Sequence, residues 1–168
     1  MIDLDKAEKE FIKYSEKFNL EESHLKRKQL HSLRVRDLSR EIAQKMNLNN
    51  EEIQIATLIG LLHDISRFEQ FTQYGTFRDS QSIDHGDFGV KILKKDDYIK
   101  TYIDNEKYTD AIYLAIKNHN KYKIEDGLNP KQEMFCKIIR DADKLDIFYE
   151  MINIFYQEKE IENINYSI

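Results

Sequence analysis

The sequence places histidines and an aspartate, ligand types of first-row transition metals, on apolar helix faces. His31, His63, His119 and Asp143 each fall on, or at the end of, the apolar stripe of a different predicted helix. Asp64 follows His63 at the end of a nearly all-apolar segment, where an unpaired carboxylate would cost several kcal/mol of desolvation. A positive group must therefore lie beside Asp64, and a helical bundle could gather these side chains around a metal.

Apolar residues at three- and four-residue steps run through most of the chain. Five glycines and one proline in 168 residues leave few turns, which favours helices over hairpins. The sequence predicts an all-α fold, a compact bundle of about six to seven helices. The predicted helices cover approximately residues 4–18, 21–46, 51–64, 83–94, 108–119 and 130–145. Residues 66–82 lack helical periodicity and are predicted to form a long, aromatic-rich loop, a feature that is commonly functional.

The histidines and aspartates stand in a recognisable order along the chain. His31, the His63-Asp64 pair and the distal Asp143, together with residues 60–65 and 140–146 around them, resemble the HD superfamily of metal-dependent phosphohydrolases. The resemblance covers residues 30 to about 146. It implies a single HD-type domain over residues 1–168, with a core of about 21–146, a flanking helix in 1–20 and a helical extension in 147–168.

Two additional histidines, His85 and His119, lie between the HD pair and the distal aspartate. HD proteins with such histidines bind two metal ions, so the resemblance implies a dinuclear site. It assigns the first ion to His31, His63, Asp64 and Asp143, and the second to His85, His119 and a bridging Asp64. Asp143 is the expected distal ligand because a basic residue and a leucine follow it; Asp141 is the alternative.

The resemblance implies a phosphohydrolase that uses a metal-activated hydroxide on a small phosphorylated molecule, with a nucleotide expected. It does not distinguish a phosphomonoesterase, a phosphodiesterase and a pyrophosphohydrolase. The catalytic residues would be Asp64, Arg67 and Lys144. A donor set rich in histidine favours iron, manganese, nickel or cobalt, while magnesium and zinc are also compatible. The alternatives are a di-iron oxygenase of the same superfamily and a metal-containing nucleotide-binding regulatory module.

Several charged residues near the ligands have two interpretations each. Arg67 and Lys144 could hold a substrate phosphate, or could form structural ion pairs with Asp146 or Glu69. Lys28 and Arg34 lie one turn on either side of His31. They could neutralise a phosphate, or could be surface residues of the helix without such a role. One of three aspartates could orient the imidazole of His85, although such residues are ordinarily solvated or capping; they are Asp79, Asp84 and Asp87.

The aromatic residues of segment 66–82 could stack on a nucleobase or pack beneath the loop; they are Phe68, Phe71, Tyr74 and Phe77. Tyr122 has the same two interpretations. His24 lies one heptad before His31 but in a charged segment, and is predicted to be a solvated surface residue.

Composition argues against several classes of partner. A formal net charge of −5 gives no overall positive field for a nucleic acid. The longest apolar stretch, residues 55–62, is far shorter than the roughly 20 residues of a membrane span. Cys136 is the lone cysteine, and the N-terminus has no signal-peptide pattern. Both features predict a cytoplasmic location. The oligomeric state stays open.

Overall fold

The computed structural model describes the backbone of residues 2–165 and the side chains of residues 2–153. These residues form seven α-helices and three short 3-10 segments, and contain no β-strand. The all-α prediction is therefore confirmed. The helices are α1 (Leu4–Ser15), α2 (Ser23–Lys45), α3 (Asn50–Leu62), α4 (Arg67–Tyr74), α5 (His85–Lys94), α6 (Thr109–Asn118) and α7 (Pro130–Asn165).

Helix α3 is the central element. A capping box fixes its start, with the Asn49 side chain accepting from the Glu52 backbone and the Glu52 side chain accepting from the Asn49 backbone. All eight residues from Ile55 to Leu62 are buried. The helix therefore has no solvated face in its second half, as its nearly all-apolar sequence predicts.

Helices α2 and α3 pack closely because Gly60 has no side chain. A Cβ atom at Gly60 would lie 2.6 Å from Ser39 Oγ, 2.8 Å from the Val35 carbonyl oxygen and 2.9 Å from Arg36 Cα. Two of these three contacts are with backbone, which cannot rotate away. The close approach brings the middle of α2 against the end of α3, where the HD pair lies.

The prediction of a long loop over residues 66–82 is wrong, because residues 67–74 form helix α4. Its inner face buries Phe68 and Gln70 completely. The helix has only two turns, too few for a clear periodic pattern in the sequence. It ends at Gly75, whose φ of 65° places it in the left-handed conformation that favours glycine.

Helices α5, α6 and α7 complete the bundle. Asp84 caps α5 by accepting a hydrogen bond from the Asp87 backbone N–H, so that His85 is the first helical residue. The polar stretch between α5 and α6 forms 3-10 turns at Lys95–Thr101 and Glu106–Tyr108. Among the described helices, none is long and apolar enough to cross a membrane.

Candidate metal centre

Six side chains from five parts of the fold meet inside the bundle. Helix α2 supplies one histidine, the end of α3 supplies the HD pair, and the start of α5, the end of α6 and the middle of α7 supply one residue each. All but the α7 aspartate are buried, and that aspartate has a side-chain exposure of 17%. They are His31, His63, Asp64, His85, His119 and Asp143, the six that the resemblance implies.

The carboxylate of Asp64 lies between two pairs of histidines. Its Oδ2 atom is 3.7 Å from both His31 Nε2 and His63 Nε2. Its Oδ1 atom is 3.5 Å from His85 Nε2 and 3.6 Å from His119 Nε2. Both triplets are close enough to hold a metal ion. One oxygen therefore faces each pair, which is the arrangement expected of a bridging carboxylate.

Asp143 joins one of these pairs. Its Oδ1 atom is 3.1 Å from His31 Nε2 and 3.6 Å from His63 Nε2. Asp141, the alternative distal ligand, is exposed and lines a cavity together with Met46 on another face of the molecule. Of the two, only Asp143 is positioned to share an ion with His31 and His63.

Backbone carbonyls fix the orientation of two imidazoles. His63 Nδ1 donates to the Gly60 carbonyl oxygen at 2.8 Å, and His119 Nδ1 donates to the Ile116 carbonyl oxygen at 2.6 Å. A carbonyl can only accept, so each ring must carry its proton on Nδ1. Each Nε2 atom then directs a lone pair toward Asp64.

Carboxylates fix the other two imidazoles. His31 Nδ1 is 2.6 Å from Asp146 Oδ2, and His85 Nδ1 is 2.6 Å from Asp79 Oδ2. Such outer carboxylates hold a ligand imidazole in one tautomer and raise its basicity. Among the three aspartates near His85, the structure therefore selects Asp79 for this role.

The pairing suggested for Asp146 with Arg67 or Lys144 is wrong. Asp146 Oδ1 accepts a hydrogen bond from Arg34 Nε at 2.6 Å, and Asp146 Oδ2 accepts one from His31 Nδ1 at 2.6 Å. Arg34 thus acts behind the site, by holding the carboxylate that holds an imidazole. No local pattern in the sequence indicates the contact between His31 and Asp146, because 115 positions separate the two residues.

The imidazole nitrogens that face each other are too close for two lone pairs. His85 Nε2 and His119 Nε2 are 2.9 Å apart, and His31 Nε2 and His63 Nε2 are 3.3 Å apart. Because each Nδ1 atom is used in a hydrogen bond, neutral rings would point lone pairs at one another. A cation or a proton must lie between them, so the donor set and its geometry fit metal ions.

Burial and charge set the protonation of the cluster. Burial opposes the charge of Asp64, but Lys28 and Arg67 hold the pKa of its carboxyl well below the usual range. Burial lowers the pKa of His63, and lowers that of His85 to about 4. Both rings are neutral at pH 7 and ready to coordinate a metal.

His31 differs from His63 and His85 in its charge. Burial disfavours its imidazolium, but hydrogen bonds to Asp143 and Asp146 outweigh burial and raise its pKa to about 9. Those hydrogen bonds lie on opposite sides of the ring, so both nitrogens carry protons at pH 7. Coordination of a metal by His31 Nε2 therefore requires loss of the proton that this atom shares with Asp143.

Two cations contact the central carboxylate directly. Lys28 Nζ is 2.8 Å from Asp64 Oδ2, and Arg67 Nε is 3.3 Å from Asp64 Oδ1. Arg67 also reaches Asp79 at 3.2 Å. Lys28 and Arg67 together are thus the positive charge that the sequence requires beside Asp64.

Lys144 is exposed, and among the described side chains it pairs with no carboxylate of the cluster. Its predicted catalytic role therefore gains no support.

Three side chains form the partly exposed rim of the site. Lys28, Arg67 and Asp143 have side-chain exposures of 16%, 13% and 17%. A cavity of about 440 Å³ lies behind the site, beside Arg34 and Asp146, and one of about 430 Å³ lies beside Tyr122 and Arg140. Lys28 and Arg67 are therefore the charged groups at the edge of the cluster.

The aromatic residues of segment 66–82 divide into two groups. Phe68 is completely buried and packs against Phe11, whereas Phe71 and Phe77 are half-buried near the rim. His24 is exposed as predicted, yet its ring lies 5.5 Å from that of Phe71. Tyr122 is fully exposed.

An all-α bundle around a buried histidine and aspartate cluster defines a class of metal-binding domain. The family model of the HD domain matches residues 30–147. The chain therefore belongs to the HD domain family, which binds divalent metals and consists largely of metal-dependent phosphohydrolases. Comparisons with curated proteins and with solved structures gave no significant match.

Proposed function

We propose that the chain is a metal-dependent phosphohydrolase with a dinuclear site, acting on a small phosphorylated molecule such as a nucleotide. The observation that carries the proposal is the position of Asp64, with one oxygen facing His31 and His63 and the other facing His85 and His119. When bound, two divalent ions would lower the pKa of a coordinated water and stabilise the charge on a phosphoryl group.

The chain's own residues would supply the rest of the site. Lys28 and Arg67 stand at the rim, where their charges can bind phosphoryl oxygens. Asp79 and Asp146 keep the Nε2 lone pairs of two histidines directed inward. The mostly apolar core behind the cluster excludes water from its far side.

The first experiment is elemental analysis of the purified protein, followed by a phosphate-release screen over nucleotides and sugar phosphates. We expect two first-row metal ions per chain and release of phosphate or pyrophosphate from at least one nucleotide. A metal-loaded protein that hydrolyses no phosphate ester would overturn the proposal. That result would favour a nucleotide-binding regulatory module, or a di-iron oxygenase if the ferrous protein consumes oxygen.

The bridging role of Asp64 has its own test. Asp64→Asn should reduce both metal content and hydrolysis, because the carboxylate faces both groups of ligands. The matched control is Asp126→Asn, which makes the same change at an aspartate with 87% side-chain exposure. Retention of two metal ions in Asp64→Asn would contradict the assignment.

A further inference from the structure

We propose that His24, Phe71 and Phe77, named here the aromatic cluster, bind an aromatic ring of the substrate and so select nucleoside phosphates over sugar phosphates. This inference rests on the proposed phosphohydrolase function and names the substrate class of the same site.

The first argument is position. Lys28 Nζ lies 5.7 Å from the centre of the Phe77 ring, and Arg67 Cζ lies 5.6 Å from it. The same two cations contact the two oxygens of Asp64. The Phe77 ring therefore lies next to Lys28 and Arg67, the two cations that would bind a phosphate.

The second argument is that three separate elements build the cluster. Phe71 comes from α4, Phe77 from the segment after it, and His24 from the first turn of α2. The Phe71 and Phe77 rings are 4.8 Å apart with an interplanar angle of 36°, and His24 meets Phe77 edge to face at 6.4 Å. Arg67 Nη1 donates to the Phe77 carbonyl oxygen at 2.8 Å, which holds this residue in place.

The third argument is exposure. Phe68 is completely buried, whereas Phe71 and Phe77 pack against the core but are only partly buried. Phe71 and Phe77 stay half-buried and His24 is exposed, so the core does not need their outer surfaces. Apolar surface of this kind beside a polar site is typical of ligand binding.

The chemistry of the ligand follows from this arrangement. Aromatic side chains accept every nucleobase, because each base has a π-face, and two adjacent cations suit an anionic group attached to it. A sugar phosphate offers the same phosphoryl group without an aromatic ring to stack. The cluster therefore adds to the binding of a nucleotide and not to that of a sugar phosphate.

The test compares Phe77→Leu with the parent protein on ATP, AMP and glucose 6-phosphate. Leucine keeps the apolar contact with Phe71 but removes the aromatic face. We expect kcat/KM for the hydrolysed nucleotide to fall about tenfold or more, with little change for glucose 6-phosphate. Phe77→Trp should keep the preference.

The matched control is Tyr113→Leu. Tyr113 carries a lysine over its ring, Lys94 at 5.0 Å, as Phe77 does, and it is also half-buried, but it lies on α6 and contacts neither Lys28 nor Arg67. This variant should leave both substrates unaffected. An equal effect of Phe77→Leu on nucleotide and sugar phosphate, or no effect on either, would overturn the inference.

Binding separates failure of this inference from failure of the proposed function. AMP binding to the protein as purified is measured by titration calorimetry for the parent, Phe77→Leu and His24→Ala. If no phosphate ester is hydrolysed, weaker AMP binding in Phe77→Leu still supports the aromatic cluster, whereas unchanged binding overturns it. If Phe77→Leu does not fold, His24→Ala replaces it, because His24 is exposed and its removal should leave the fold intact. We expect His24→Ala also to lose affinity for AMP.

Discussion

A single methyl group added at Gly60 should move the helices that carry His31 and His63 apart. The new Cβ atom would lie 2.6–2.9 Å from α2, and two of its three nearest atoms belong to the backbone. Those two atoms cannot rotate away. Because Gly60 also accepts the hydrogen bond that orients His63, the displacement reaches the metal centre.

Two opposing contributions set the change in the free energy of unfolding of Gly60→Ala. Overpacking costs about 1–3 kcal/mol, and the backbone contacts place Gly60→Ala near the upper end. Replacing glycine by alanine within a helix returns about 1 kcal/mol. The net loss of about 2 kcal/mol should lower the thermal midpoint of a domain this size by about 4–8 °C.

The matched control is Gly89→Ala, in the interior of α5. Its Cβ atom would lie 3.2 Å from a methyl carbon of Ile116, a side chain that can shift by a few tenths of an ångström. The helix-propensity gain is the same, so the midpoint should change by no more than about 2 °C.

Both variants are measured by thermal unfolding after treatment with a chelator, and then by calorimetric titration of manganese. Gly60→Ala should unfold at lower temperature and bind manganese more weakly than Gly89→Ala. Equal midpoints for the two variants would refute the argument that α2 and α3 require glycine at this contact.

Three further predictions concern the cluster itself. Asp143→Ala should lose bound metal and Asp141→Ala should retain it, as elemental analysis measures; the opposite result would exchange their roles. Asp79→Asn should weaken metal binding roughly 10–100-fold in a calorimetric titration, because it supports His85, and unchanged affinity would remove that role. In the metal-free protein the raised pKa of His31 stabilises the fold fully below pH 6.5, and this contribution is lost as the pH rises through about 9. The thermal midpoint of chelator-treated protein should therefore fall more steeply over that interval than that of His31→Gln, and parallel curves would contradict the assigned charge.

The elements that the sequence predicts correctly are those with strong local signals. Helix α3 has a capping pair, Asn49 and Glu52, followed by an unbroken apolar run, and α7 begins at Pro130. Helix α4 has two turns and only two completely buried side chains, Phe68 and Gln70. Its stability comes from packing onto the rest of the bundle, which a local pattern cannot show.

The candidate site shows the same division between local and distant information. The resemblance of the order of histidines and aspartates to the HD pattern predicts which residues meet, and the helix faces of His31, His119 and Asp143 agree with it. The partners behind them are harder to predict. Asp79 lies six positions from His85 and was one of three candidates, whereas the contact between Asp146 and His31 spans 115 positions. Only the packing of α7 against α2 creates that contact.

The charge of Asp64 links metal binding to the recognition of an anion. Its two oxygens contact Lys28 and Arg67, so the positive charge of both side chains is used inside the protein. A phosphate would then have to compete with a buried carboxylate for the same donors. Once Asp64 is neutralised by bound cations, Lys28 and Arg67 are free to bind a phosphoryl group beside Phe77. On the proposed function, affinity for an anionic substrate would therefore depend on occupancy of the metal centre, because the same two cations contact Asp64 and stand at the rim.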